Sequence, residues 1–320
     1  MDTVSLFSGA GGLDLGLAAT GHELIWANDF DKDSVSTYRK NIGDHVIHAP
    51  IEAISSNDIP EAELIVGGFP CQGFSQANLR RTIEDPRNRL YKEFVRVITD
   101  KQPLYFLAEN VRGISSLGGG SALALIVAGF EAAGYRVAAK VLNAADFGVP
   151  QNRYRMIFLG TRIDLPNVAD LRHPLPTHSS RPEDGLQPHR TLGECLAAVP
   201  DPIKFPLAVP NQQYSRYRVV ERDFTGHRAT NPDRPSPTIL ARGNGGGGVN
   251  ATPHPDGTRR MSVRESAAVQ TFPLDFEFEG KLGSAYRQVG NAVAVKFAEA
   301  LGSAASVAHR QIPSESGRAA

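Results

Sequence analysis

The sequence predicts an α/β protein: a Rossmann-like, largely parallel sheet covered by helices, with a smaller and irregular second domain. Three observations predict it. Apolar runs of strand composition alternate with segments of helical periodicity as far as Leu159. A glycine-rich turn follows the first of these runs directly. After Gly160 the pattern dissolves into proline, histidine and arginine from Pro166 to Pro237, with no sustained period.

From the amino end, Thr3-Val4-Ser5-Leu6-Phe7 reads as a strand, Ser8-Gly9-Ala10-Gly11-Gly12 as a tight turn, and residues 13 to 19 as a helix. Glycines there let the backbone approach a ligand and aim the amides of the helix start toward it. A dehydrogenase fingerprint would place a third glycine where Asp14 stands. The second strand, Leu24-Ile25-Trp26-Ala27, delivers Asn28-Asp29-Phe30, with Asp29 twenty positions beyond Gly9. An acid so placed can accept both hydroxyls of a ribose, and the Phe30 ring beside it can stack on an adenine. Leu64-Ile65-Val66 is a short buried strand; Leu90, Phe94 and Ile98 share one face of an amphipathic helix. The strand over residues 104 to 108 ends on Glu109-Asn110-Val111. A helix through Leu123, Ile126, Val127 and Phe130 follows, then a strand at Tyr135, then Gln151-Asn152-Arg153-Tyr154-Arg155 leading into the strand Met156-Ile157-Phe158-Leu159. Residues 192 to 199 read as a helix in which Cys195 packs, and Gln288-Val289-Gly290-Asn291-Ala292-Val293 is expected to open a helix through Phe297 and Leu301.

The chain has 320 residues, long enough for two lobes. Its two cysteines are too few for a disulfide framework or a cysteine-rich zinc site. The start runs straight into a strand without a basic leader, and no apolar stretch is long enough to span a bilayer, so a cytoplasmic protein with no membrane partner is expected. Lysine plus arginine equals aspartate plus glutamate at 34 each, so any nucleic-acid surface has to be local. Arginines cluster after Cys71 (Arg80, Arg81, Arg87, Arg89) and again at Arg216, Arg218 and Arg228. Guanidinium groups suit phosphate and guanine, although such clusters are also ordinary solvated surface.

Cys71 stands just past the strand end, in Gly67-Gly68-Phe69-Pro70-Cys71-Gln72-Gly73-Phe74-Ser75. Beyond the carboxyl ends of parallel strands lies the crevice where such sheets bind ligands, so a thiol there can meet a substrate. Alone it would read as a small buried hydrophobe.

The ordered set Phe7-Ser8-Gly9-Ala10-Gly11-Gly12, Asn28-Asp29-Phe30-Asp31, Gly68-Phe69-Pro70-Cys71-Gln72, Glu109-Asn110-Val111, Gln151-Asn152-Arg153-Tyr154-Arg155, Arg234-Pro235-Ser236-Pro237-Thr238-Ile239 and Gly290-Asn291-Ala292-Val293 resembles the DNA (cytosine-5) methyltransferase family of bacterial restriction-modification type. The resemblance implies an S-adenosylmethionine-dependent methyltransferase sheet over residues 1–160 plus 284–320 and a target-recognition domain over 161–283. It makes Cys71 the nucleophile that adds to carbon 6 of a flipped cytosine, activating carbon 5. Glu109 then serves N3, Arg155 serves O2, and Arg153 supports the site or a phosphate. For the donor, it implies a cradle of Phe7, Gly9, Gly11, Gly12 and Leu13, with Asp29 on the ribose, Phe30 on the adenine, and Ile51, Pro70 and Asn291 completing the pocket. Where the family often shows an acid before an isoleucine, this sequence has Pro50-Ile51, which leaves the adenine contact to the Ile51 backbone, to Glu52, or absent.

Double-stranded DNA is the implied partner, contacted by Gln72, Ser75 and Arg80, Arg81, Arg87 and Arg89 on a closing loop. Arg216, Arg218, Arg228, Gln212 and Gln213 are candidates for base reading. The implied enzyme is a monomer, with a restriction endonuclease acting separately. Two rivals share the motifs: a transfer-RNA cytosine methyltransferase, and a catalytically silent DNA-binding regulator. A nicotinamide dehydrogenase fits only the glycine turn and Asp29.

Overall fold

The computed structural model describes residues 1–70, 89–181, 185–215, 230–241 and 252–312. Its centre is a seven-stranded sheet in the order β3-β2-β1-β4-β5-β7-β6. The chain begins in the middle: β1 (Asp2–Leu6) lies between β2 (Glu23–Asp29) and β4 (Leu64–Gly67), both parallel to it. From β1 it winds outward through α1 (Gly12–Ala18), β2, α2 (Lys32–Asn41) and β3 (Val46–His48). It then returns to β4 and winds the other way through α3 (Arg89–Lys101) to β5 (Tyr105–Val111). The order therefore reverses between β1 and β4, which is where open α/β sheets hold ligands.

Beyond β5, α4 (Ser121–Ala132) leads to β6 (Tyr135–Asn143), and β7 (Tyr154–Arg162) inserts between β5 and β6, antiparallel to both. Because β7 runs backwards, its first residues stand at the carboxyl edge of the parallel strands, where Val111 is paired with Arg155. The ladder with β7 also lengthens β5. Glu109, Asn110 and Val111, expected past the strand end, are its last three residues.

Side chains alternate along the strands. Val4, Leu6, Ile65, Phe106, Ala108, Met156 and Phe158 pack on one face against Phe94 and Ile98 of α3 and Ile126 and Phe130 of α4. On the other face Leu64, Val66, Tyr105, Leu107, Ile157 and Leu159 meet Leu13 and Leu17 of α1 together with Phe297, Ala298 and Leu301 of the last helix, α8 (Val295–Arg310). The described residues between Arg162 and Lys281 hold little regular structure. They have the two-residue pairing of β8 (His178–Ser179) with β9 (Gln187–Pro188), then α5 (Leu192–Ala197) and α6 (Val263–Val269). Both short helices begin with reciprocal capping boxes, Thr191 with Glu194 and Ser262 with Glu265. Cys195 is buried in α5, where burial pushes its thiol up to about 12, as befits a packing residue. This region shares a core with the chain's end: Leu192, Ile239, Met261 and Phe272 cluster with Val289 and Val295.

The segment 288–293 does not open a helix as expected. It closes α7 (Leu282–Asn291), turns extended at Ala292, and only Val295 starts α8 (Val295–Arg310). The break is tolerated because side chains take over carbonyls that helix amides would otherwise satisfy. Gln270 donates to the carbonyls of Val289 and Ala292, and Arg153 to those of Gly290 and Ala292.

Helix α8 crosses α1 at a glycine. A Cβ on Gly16 would stand 2.4 Å from the Ala298 Cβ, 2.5 Å from the Val295 carbonyl oxygen and 2.8 Å from the Glu299 nitrogen. Gly16→Ala is therefore expected to destabilise the protein by about 1–3 kcal/mol despite alanine's better helix propensity, read as a lower urea midpoint with unchanged slope. An unchanged or higher midpoint would show that the two helices are not locked at this separation.

Candidate active site

Three strand ends meet at the reversal point, and each is tied down by a buried polar side chain. After β1 the chain turns through left-handed conformations at Phe7 (φ 55°), Gly9 (φ 56°) and Gly11 (φ 84°). Phe7 is not a glycine, so its conformation is held from outside. Asn28, at the end of β2, accepts from the Phe7 amide with its side chain and from the Ser8 amide with its carbonyl. The same side chain donates to the Ala49 carbonyl, joining the turn to the segment that leads to Ile51. Asp29 accepts from the Gly9 amide (2.9 Å) and from the Asp31 amide (2.8 Å). Burial raises its carboxyl above the usual range, against the pull of those two amides.

The glycines of the turn divide by role. Gly9 has open space where a side chain would stand, with Asp29 beside it. Gly11 and Gly12 are buried by packing: a Cβ would strike Ile42 at the first and the Val293 carbonyl at the second. The Leu13 side chain belongs to the core beneath. Phe30 is 64% exposed, an aromatic face turned to solvent beside Asp29. Ile51 is buried, and its carbonyl accepts from Arg96 and from the Ile54 amide. Of the alternatives the sequence left open at Pro50-Ile51 (the Ile51 backbone, Glu52, or no contact), the carbonyl of the Ile51 backbone is engaged already. Asn291 is exposed at the end of α7.

After β4, Phe69 is sunk between Tyr91 and Phe94, with ring centroids 5.5 and 5.9 Å away. Its carbonyl accepts from the Asn110 side chain at 3.0 Å. Pro70 therefore leaves a fixed base. Cys71, Gln72, Ser75, Arg80, Arg81 and Arg87 lie outside the described residues, as do Arg216, Arg218, Arg228 and the side chain of Arg89.

Glu109 faces this segment from β5. Its Oε2 would be 3.3 Å from a Cβ on Gly68, so the glycine leaves room for the carboxylate beside the path to Pro70. The Arg155 Nε lies 2.7 Å from Glu109 Oε1, and both side chains are nearly buried. The hydrogen is not directed at that oxygen, however, which has no aligned donor among the described residues. The contact is a charge pair rather than a hydrogen bond. A buried acceptor left in this state, at a crevice, is open to a hydrogen-bonding ligand.

Arg153 is 1% exposed and donates to the carbonyls of Ile239, Gly290 and Ala292. Burial and the nearby Arg155 push its pKa well below the ordinary arginine value, while Glu109 opposes them. Of the two roles the sequence left open, the phosphate contact is excluded by this burial and support of the site remains. Gln212, expected from the sequence to be a base-reading candidate, is instead buried and donates to the Pro200 carbonyl, whereas Gln213 is exposed.

Asp14, noted in the sequence only as a missing glycine, is wholly buried under the turn. It accepts from the Ser5 and Tyr38 hydroxyls at 2.7 Å each, and Tyr38 also meets His45 Nε2 at 2.9 Å. An acid inside an apolar helix start was the available signal. Asn28 and Asn110 gave a similar one, as amides closing apolar strands.

A family model described as C-5 cytosine-specific DNA methylase matches residues 1–306. Type II methyltransferase M.NgoFVII of Neisseria gonorrhoeae is 40% identical over 313 residues, covering 91% of this chain and 82% of that protein. Type II methyltransferase M.MthTI of Methanothermobacter thermautotrophicus is 36% identical over 331 residues, covering 94% and 96%. The crystal structure of an S. pombe Dnmt2 methyltransferase superposes with a TM-score of 0.68 at 20% identity over 95% of this chain and 97% of its own, a likeness of fold.

Burial raises the Asp14 carboxyl from 3.8 to about 6, so the folded state binds a proton there more tightly than the unfolded chain does. This contribution to stability is full below about pH 4 and is lost as pH rises through 6. Asp14→Asn cannot ionise. Its stability relative to wild type should be greatest at pH 7 and fall by on the order of 2–3 kcal/mol toward pH 4, measured by urea unfolding across that range. A difference independent of pH would contradict the assignment.

Proposed function

The chain belongs to the C-5 cytosine-specific DNA methylase family, and from that premise we propose that it is a type II modification enzyme that methylates carbon 5 of a cytosine within one short sequence of double-stranded DNA. The observation that carries the reading is the meeting of Glu109 and Arg155 at the carboxyl edge, with the Glu109 carboxylate against Gly68 and an Oε1 that lacks an aligned donor.

The residues at the reversal point fit S-adenosylmethionine as donor. Gly9 leaves open space on a left-handed turn, Asp29 keeps acceptor capacity for ribose hydroxyls, and the exposed Phe30 ring offers an adenine a stacking face. When bound, this group supplies an electrophilic methyl. The chain's own residues prepare the cytosine to accept it. The Cys71 thiolate forms a bond to carbon 6, pushing electron density into the ring toward carbon 5. Glu109 hydrogen-bonds N3, and Arg155, held by Glu109, stabilises charge on O2. After methylation a solvent water or hydroxide takes the carbon 5 proton, and the electrons of that C–H bond re-form the 5,6 double bond as the carbon 6–sulfur bond breaks and releases the Cys71 thiolate.

Carbons 5 and 6 are closed off inside a stacked duplex, so the cytosine is flipped out, at a cost of a few kcal/mol recovered through protein contacts. The catalytic lobe comprises residues 1–160 and 284–320, and residues 161–283 read the sequence. The enzyme acts as a monomer in the cytoplasm, and a cognate restriction endonuclease acts separately. No helix among the described residues is long and apolar enough to cross a membrane.

Incubating the protein with S-adenosylmethionine and unmethylated bacterial genomic DNA, then mapping 5-methylcytosine at base resolution, tests this. One short motif should become methylated by the wild type and none by Cys71→Ala. Donor binding without 5-methylcytosine in DNA would overturn the DNA reading and direct the assay to transfer RNA.

A further inference from the structure

Among the described residues, three arginines stand where β5 ends and β7 begins at the carboxyl edge, and two are committed. Arg153 is buried on backbone carbonyls. Arg155 is held by Glu109 and by the Tyr154 carbonyl. The third, Arg112, directly follows β5 and is exposed, with its guanidinium carbon 5.2 Å from the centre of the Tyr154 ring. Among the described residues, no carboxylate and no hydrogen-bond acceptor engages that guanidinium.

We propose that Arg112, braced on Tyr154, binds a backbone phosphate of the substrate duplex beside the flipped cytosine, an assignment that rests on the DNA reading above. Tyr154 and Arg155 are successive residues of β7 and so point to opposite faces of the sheet. The stacked pair therefore flanks the edge on the side of α3 and α4, while Glu109 and Arg155 occupy the other. A cation held over a ring face spends none of its N–H donors on that contact, and the donors of a guanidinium match two phosphate oxygens. Tyr154, 41% exposed, also limits the rotamers the arginine must surrender on binding. With 34 cationic and 34 anionic side chains, the chain has no global field to attract DNA, so affinity depends on local cations of this kind. The phosphate role that the sequence left open for Arg153 passes to the arginine of this edge whose donors are free.

The test measures affinity for a short duplex carrying the mapped site between roughly 50 and 200 mM salt, for wild type, Arg112→Gln, Arg112→Lys and Tyr154→Leu. Steady-state kinetics and donor affinity are measured in parallel. Arg112→Gln should bind DNA about tenfold more weakly and shallow the log–log salt slope by about 0.9, the value of one phosphate contact. Its KM for DNA should rise in proportion, with kcat and donor affinity unchanged. Arg112→Lys should keep the slope, and Tyr154→Leu should keep it while losing part of the affinity.

Arg112→Gln with wild-type slope and affinity would overturn the proposal, as would a loss of kcat with the slope intact, which marks a structural role. If wild type binds and methylates the duplex, either result removes this contact alone. If wild type neither binds nor methylates it, the proposed function falls and this contact with it.

Discussion

A buried guanidinium holds this active site together. Arg153 gives up nearly all its hydration, a cost of several kcal/mol for an ion, with no carboxylate among the described residues hydrogen-bonded to it in return. Three backbone carbonyls take its protons instead: one from the strap at Ile239 and two from the break between α7 and α8. Gln151 extends the knot, accepting from the Ile239 amide and donating to Gln270, which in turn donates to the carbonyls of Val289 and Ala292. Parts of the chain far apart in sequence are fixed where β7 begins. Arg155, two residues further on, is thereby delivered to Glu109. Such a network is costly when incomplete and specific when complete, and here the Arg153 Nε is the one side-chain atom of the network left without a partner among the described residues.

The sheet supplies the rest of the geometry. Because the winding reverses between β1 and β4, the glycine turn, the Phe69-Pro70 segment and the end of β5 emerge side by side. Asn28 fixes the first and Asn110 the second, each with a side-chain amide spent on backbone. An antiparallel β7 then brings arginines to an edge that a wholly parallel sheet would furnish from loops. The electrostatic design follows from this packing: a fully buried cation behind, a near-buried ion pair in front, and an exposed stacked arginine on the flank.

Most of the sheet was legible because buried strands such as Leu64-Ile65-Val66 are continuous apolar runs, and because the glycine turn and Asp29 carry a spacing with a mechanism. Strand β3 was not legible, having three residues of which two are exposed. The reach of β5 through Glu109 was hidden as well, since a polar strand end acquires its pairing from β7, far away in sequence. The helix break at Ala292 followed no local rule, for the partners that permit it come from Arg153 and Gln270. For the same reason the sequence left Arg153 between supporting the site and meeting a phosphate: its burial is decided by three distant carbonyls. In the region past Arg162 the backbone is organised by single contacts, such as Gln212 on Pro200, rather than by periodicity.

The central claim is that this edge presents Cys71 to a cytosine polarised by Glu109 and Arg155. It is tested most directly with a duplex carrying 5-fluorocytosine at the mapped position, in the presence of S-adenosylmethionine. Fluorine at carbon 5 cannot leave as a proton, so the sulfur bound at carbon 6 cannot be expelled. Attack by Cys71 would leave a protein–DNA adduct that survives denaturation, with the DNA on the peptide containing Cys71, and Cys71→Ala would form none. A wild-type enzyme that methylates ordinary cytosine yet forms no adduct, or one joined through another residue, would contradict it.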